Sequence, residues 1–193
     1  AAVAGGAIAA CGARVIYEAT GPDRGVCREN RADAGGAVFV AGWAERPAMI
    51  RLEEVSLQLN LAKTIGGAGA AVGQGTLHFE GGEVARNRAV GGKSRGVGGG
   101  LVAWRGARIQ ARKLLVAQNM ATGGGGAVAV INAHLTMIEE TMVLRNRAEA
   151  PVGGGAILAI TAPDAQLERL VAEAMVSLPF KVRLDGVRLK ENQ

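Results

Sequence analysis

The sequence predicts an all-β protein, a right-handed parallel β-helix (solenoid) of about six coils, and three observations predict it. Asn, any residue, then Ala recurs five times, at Asn30-Arg31-Ala32, Asn60-Leu61-Ala62, Asn87-Arg88-Ala89, Asn119-Met120-Ala121 and Asn146-Arg147-Ala148. A glycine pair or triplet opens an apolar run after each copy, near residues 35, 66, 99, 125 and 154, and Gly5-Gly6-Ala7-Ile8 opens the first unit. The last glycine of each set precedes the next Asn by 24, 24, 20, 19 and 20 residues in turn, and by 37 in the last unit. Self-similarity at such a period is the mark of a solenoid, in which each unit buries its apolar face only by stacking on the next.

Composition justifies the narrow interior. Of 193 residues 49% are hydrophobic, but only 3% are aromatic, and 30 are Gly, about twice the average usage of ~7%. Ala, Val, Leu and Ile suit a thin core between sharp turns. Each unit has room for three short strands, as in Gly36-Ala37-Val38-Phe39-Val40, Met49-Ile50-Arg51-Leu52 and Val55-Ser56-Leu57. Alternation sets the faces: in the run 133–138, Leu135 and Met137 point inward and His134 and Thr136 outward. Helical solenoids are disfavoured, because each interior Gly costs a helix about 1 kcal/mol.

The Asn requires its own reason. Stacked coils lie about 4.8 Å apart, so equivalent residues fall above one another. An Asn carries donor and acceptor groups and tolerates left-handed backbone, so a file of them satisfies turn amides buried between coils. The C-terminal run Gly186-Val187-Arg188-Leu189-Lys190-Glu191-Asn192 matches Glu54-Val55-Ser56-Leu57-Gln58-Leu59-Asn60 and supplies a sixth member. The predicted ladder is Asn30, Asn60, Asn87, Asn119, Asn146 and Asn192. Ala two residues after Asn fits a cramped inward position, and the Gly pair fits a corner needing positive φ or close backbone approach.

The last unit carries an insertion over residues 161–180. Leu167, Leu170, Val171 and Ala174 have helical spacing behind Asp164 as an N-cap, which predicts a short helix or docking flap; an irregular β-coil is the alternative. The segment opens just before a Gly pair and closes one residue after the sixth Asn, and open coil edges invite pairing. Further coils, caps or a partner at the coil ends are therefore expected.

These units resemble the repeats of the chlamydial polymorphic outer membrane proteins, which are recognised by Gly-Gly-Ala-Ile and Phe-x-x-Asn. Gly5-Gly6-Ala7-Ile8 and Gly155-Ala156-Ile157 are similar to the first motif. The second is echoed by the apolar-x-x-Asn sets that start at Cys27, Leu57, Val84, Val116, Val143 and Leu189. The likeness covers nearly the whole chain, without the family's Phe and without a C-terminal β-barrel. It implies a parallel β-helix and a surface-exposed, adhesive role.

No constellation in the sequence points to catalysis or a cofactor. Asp23, Asp33, Asp164 and Asp185 lie at unrelated phases, and the pairs Glu53-Glu54 and Glu139-Glu140 should diverge across a strand. His78 and His134 fall on comparable outward phases two coils, about 10 Å, apart, too far to share a metal. Trp43 and Trp104 follow their Gly pairs at similar distances and are expected on one flank. Cys11 and Cys27 read as buried hydrophobes, with a single bridge inside one coil as the alternative. The Gly-rich runs lack the Lys-Ser or Lys-Thr of a phosphate loop.

Charge bears on partners. The chain is basic, at +5 and pI about 9.8. Arg31, Arg88 and Arg147 each follow a ladder Asn, so stacking places them in a sparse row able to meet an anionic polymer or lipid; its simpler role is to solvate an edge. Nucleic acid is not expected with so few aromatics, and no stretch reaches the ~20 apolar residues of a membrane span. The expectation is a noncatalytic scaffold in a larger extracellular, cell-surface or peripheral membrane assembly, with protein partners at its coil ends or at 161–180. The competing readings are a pectate-lyase-like, carbohydrate-active β-helix enzyme and a polyanion-binding module.

Overall fold

Short apolar-alternating runs separated by corners give a chain that turns sideways after every four to six residues and meets its own next repeat. In the computed structural model, which describes residues 2–19, 25–91, 96–150, 154–160 and 181–193, this produces a parallel β-solenoid of about five turns. None of the described residues is helical. Four parallel sheets of six strands, here called A to D in chain order, form its sides. The second level shows the pattern: β5 (Arg31–Ala34) in A, β6 (Val38–Gly42) in B, β7 (Ala48–Glu53) in C and β8 (Val55–Gln58) in D.

Each level thus has four strands where the sequence suggests three. The unforeseen side is sheet A, directly after the Asn, where three strands have only two residues: Arg88–Ala89, Met120–Ala121 and Arg147–Ala148. Runs that short carry no readable alternation. The Asn-x-Ala reading nonetheless holds, since Ala32, Ala62, Ala89 and Ala121 of this sheet are all buried.

Register keeps equivalent residues in files. Cys27, Leu57, Val84, Val116, Val143 and Leu189 pair level by level in sheet D. In sheet C the inward file Val15, Ile50, Leu77, Ile109, Leu135 and Val182 lies beside Tyr17, Leu52, Phe79, Ala111, Met137 and Leu184. These files meet in one continuous core. The largest wholly buried side chain there is Phe79.

Sheet B departs from alternation. Its outward residues are apolar too, and Ala70, Val102 and Ala129, which point away from the core, have no solvent exposure. They form a second cluster with Phe39, Ile65, Val97, Trp104 and Leu158. The insertion over 161–180 lies outside the described residues.

The corner between sheets A and B explains the glycine pair. Gly66 has φ +63°, where a Cβ costs about 1–2 kcal/mol. The next residue, Gly67, has ordinary φ, but a Cβ on it would run into the carbonyl oxygen of Gly99 one level on. The first glycine of the pair is demanded by conformation and the second by stacking distance.

Candidate functional site: the ladder and the outward faces

The six predicted Asn residues form one file at the corner between sheets D and A. In the first five, the backbone N–H and the side-chain Nδ2 both donate to Oδ1 of the Asn one level on. For Asn60 to Asn87 both distances are 2.9 Å, and for Asn146 to Asn192 they are 2.9 and 3.0 Å. Nδ2 also donates backward, from Asn60 to the carbonyl of Cys27 at 3.0 Å, from Asn87 to Leu57 at 2.9 Å and from Asn119 to Val84 at 2.8 Å. That acceptor sits three residues before the previous Asn. The apolar-x-x-Asn motif therefore has two functions: its apolar side chain fills the core, and its carbonyl holds the next Asn.

Although Asn tolerates left-handed backbone, the left-handed residue is the one before it. Glu29, Leu59, Arg86, Gln118, Arg145 and Glu191 have φ between 52° and 58°. The N–H groups of the first five reach the next level, as from Arg86 to the carbonyl of Ala117 at 3.0 Å. The kink turns the following Asn inward, where Asn60, Asn87, Asn119 and Asn146 are at most 1% exposed. Net hydrogen-bond contributions of about 1 kcal/mol each, several per level, offset a strain of similar size.

The Arg row exists with a modification. Register runs Arg31, Leu61, Arg88, Met120, Arg147 down sheet A, so an apolar residue separates each Arg from the next, leaving the arginines about 10 Å apart. The adjacent outward file carries Asp33, paired with Lys63 at 2.8 Å.

Other expectations require correction. Glu53 ends strand β7, but Glu54, Glu139 and Glu140 occupy left-handed turn positions with φ 51°, 44° and 53°, so neither Glu pair alternates across a strand. Trp104 is in register with Val72 and Ala41, while Trp43 sits two residues beyond Ala41 in a tight turn paired with Arg46. The two indoles are therefore not equivalent. Arg105 stacks on the Trp104 ring, 4.6 Å from its centroid. Cys27 is buried as expected, and burial pushes its thiol pKa up, but Cys11 is exposed on the outward face of sheet B, and both are free. Asp23 and Asp164 lie outside the described residues.

Sheet C presents the polar face. It comprises β3 (Arg14–Glu18), β7, β11 (Gly75–Glu80), β15 (Arg108–Arg112), β19 (His134–Ile138) and β23 (Lys181–Leu184). One outward file reads Arg14, Met49, Thr76, Arg108, His134, with Lys181 the register partner of His134 on β23, and the next Ile16, Arg51, His78, Gln110, Thr136, Arg183. His78 and His134 are two levels apart as expected, with Gln110 Oε1 accepting at 3.2 Å from His78 Nδ1.

A third outward file was invisible in the sequence. Glu18, Glu53 and Glu80 stack in register, followed by Arg112. Their spacings of 35 and 27 residues share no motif, and only the strand pairing brings them together. Arg51 is ion-paired to Glu53, and Arg112 lies 3.6 Å from Glu80 and 2.5 Å from Glu139. The hydrogen bond that Arg112 donates to Glu139, with the negative charges of Glu139 and Glu80, raises the Arg112 pKa. On the opposite corner, the hydrogen bond from Arg145 holds the Glu191 carboxyl below its usual range.

Between levels four and five of sheet C a shallow groove of about 270 Å³ is lined by Arg108, Ile109, Gln110, His134 and Thr136. Among the described residues no group of three or more His, Cys, Asp and Glu side chains converges in a metal-binding arrangement. No helix among them is long and apolar enough to cross a membrane. No family model, curated protein or solved structure matches this chain.

Proposed function

We propose that this chain is a noncatalytic structural and interaction scaffold, a repeat segment of the polymorphic outer membrane protein type within a larger surface or membrane-associated assembly. The observation that carries the reading is the ladder. Its buried amides are engaged with one another and with main-chain carbonyls, which is what a stiff rod with evenly spaced surface files requires. The Gly-Gly-Ala-Ile and apolar-x-x-Asn motifs support the family resemblance, and each has a structural role at a corner of the stack. Protein partners meet the scaffold at its end levels or at residues 161–180. At the end levels inward-file residues are half-exposed, including Tyr17 at 40% and Leu189 at 51%.

Lysine-directed cross-linking of the full-length protein on intact cells tests this. Lys190, exposed in the sixth level, is expected to link to another protein, while Lys63 and Lys113 in the middle of the stack are not. Absence from the cell surface, or cross-links only from the middle, contradicts the reading.

The stacked Glu53 and Glu80 favour one alternative, a carbohydrate-active enzyme, because paired carboxylates about 5 Å apart suit retaining glycoside hydrolysis. Each, however, is engaged by an arginine. Release of new sugar ends from a polysaccharide, abolished by Glu53→Gln or Glu80→Gln, would establish that alternative and remove the scaffold reading.

A further inference from the structure

We propose that the outer face of sheet C binds an acidic glycan across levels four and five, with Arg108 as the anion contact and Gln110, His134 and Thr136 as the contacts to sugar hydroxyls. The inference does not depend on the scaffold role.

Three observations support it. First, the groove has a mixed lining: one guanidinium, one amide, one imidazole and one hydroxyl above Ile109. Sugar hydroxyls donate and accept at once, and amide, hydroxyl and neutral imidazole do the same, whereas a guanidinium only donates and matches an oxyanion with its fork. Second, Arg108 is exposed and has no carboxylate partner among the described residues. Of the other arginines on this face, Arg51 is engaged by Glu53, Arg112 by Glu80 and Glu139, and Arg183 by Asp185 at 3.2 Å, while Arg14 lies three levels away. Third, the two outward files that hold the groove carry no Asp or Glu at any of their six levels, while the third file holds Glu18, Glu53 and Glu80. At levels one to three an anionic chain is therefore repelled from the neighbouring lane, whereas at level four that lane carries Arg112.

The parts are pre-positioned. Gln110 faces His78 at 3.2 Å through Oε1, which leaves its Nε2 donors toward solvent. Arg108 and His134 are register partners on adjacent strands, as are Gln110 and Thr136, so the four side chains stand at the corners of a patch about 5 by 7 Å. A free inorganic anion would use Arg108 alone, and an acidic peptide would find no sheet edge to extend on this face. A saccharide ring carrying a carboxylate or sulfate group uses all four.

The test is calorimetric titration of the full chain, at low salt, with three oligosaccharides of equal length: a hexagalacturonate, its methyl ester and a sulfated neutral hexasaccharide. The acid form is expected to bind and the ester to bind at least about tenfold more weakly, the worth of one charge-assisted contact. Binding of the sulfated chain in place of the uronate also supports the site and identifies the anion as a sulfate ester. Arg108→Gln should weaken binding about tenfold and Gln110→Ala by a smaller factor, with the unfolding midpoint unchanged. The triple variant Arg31→Gln, Arg88→Gln, Arg147→Gln removes more charge from sheet A and should leave affinity within about twofold, since those groups lie on another face. The proposal is overturned if no probe binds, if the methyl ester binds as tightly as the charged chain that binds, if Arg108→Gln has no effect, or if the triple variant loses as much affinity as Arg108→Gln.

Discussion

Sheets B and C are built on the same stacking geometry, yet their outward faces have opposite chemistry. In B the outward files hold Ala70, Val102 and Ala129, wholly buried, with Phe39 and Trp104 beside them. In C the corresponding positions hold Arg, His, Gln, Thr and Glu, half-buried or exposed. Pleating decides which side chains leave the core, and whether they meet water depends on what packs over them, which on B includes Ile65 and Val97. Near-continuous apolar runs such as Leu101-Val102-Ala103-Trp104 and Val128-Ala129-Val130-Ile131 are what strands buried on both faces look like.

The same substitution on the two faces should separate them most strongly. Val102→Asp places an unpaired carboxylate where nothing is exposed and is expected to cost about 3–5 kcal/mol. Thr136→Asp on the polar face should cost less than about 1 kcal/mol. Denaturant midpoints followed by circular dichroism measure both. Equal costs would mean that the outward face of B is not a second core.

That contrast marks how far the sequence could be read. The ladder and the glycine corners were legible, because each repeats a residue type that has few other reasons to recur. The inward files of C were legible through alternation, as at Leu135 and Met137. Sheet A was not, since a strand of two residues has no period. The left-handed position was not legible because its occupants, Glu29, Leu59, Arg86, Gln118, Arg145 and Glu191, share no side-chain property; what they share is only the following Asn. The Glu18, Glu53 and Glu80 file and the Arg108 groove depend on register across levels of unequal length. Loop insertions between corners shift that register in sequence without shifting it in space.

A second, smaller contrast lies inside the ladder. Asn87→Ala removes the acceptor of two buried donors on Asn60 and the donor to the Leu57 carbonyl, with an expected loss of about 3 kcal/mol. Asn30 is half-buried, and its side chain donates only to Asn60 Oδ1, which still receives the backbone N–H of residue 30 after Asn30→Ala. That variant should lose about 1 kcal/mol or less. If both positions cost the same, the file does not act as a run of linked bonds.

The smallest effect concerns the cysteines, which probe the outer face of B against the core. Cys11 is exposed and should alkylate readily in the native protein at pH 8. Cys27 is buried with its thiol pKa raised, so less thiolate is present at that pH and it should react only on unfolding. Mass spectrometry of the alkylated protein reads this directly, and native labelling of both would place Cys27 outside the core file of sheet D.

The central proposition is that one unbroken line of amides runs along the stack. It is tested most directly by NMR of the side-chain amide protons of residues 30, 60, 87, 119, 146 and 192. The account predicts through-space contacts from each to the next in that order, with exchange slowest at Asn60, Asn87, Asn119 and Asn146. Rapid exchange at those four, or contacts that skip or scatter, would contradict it.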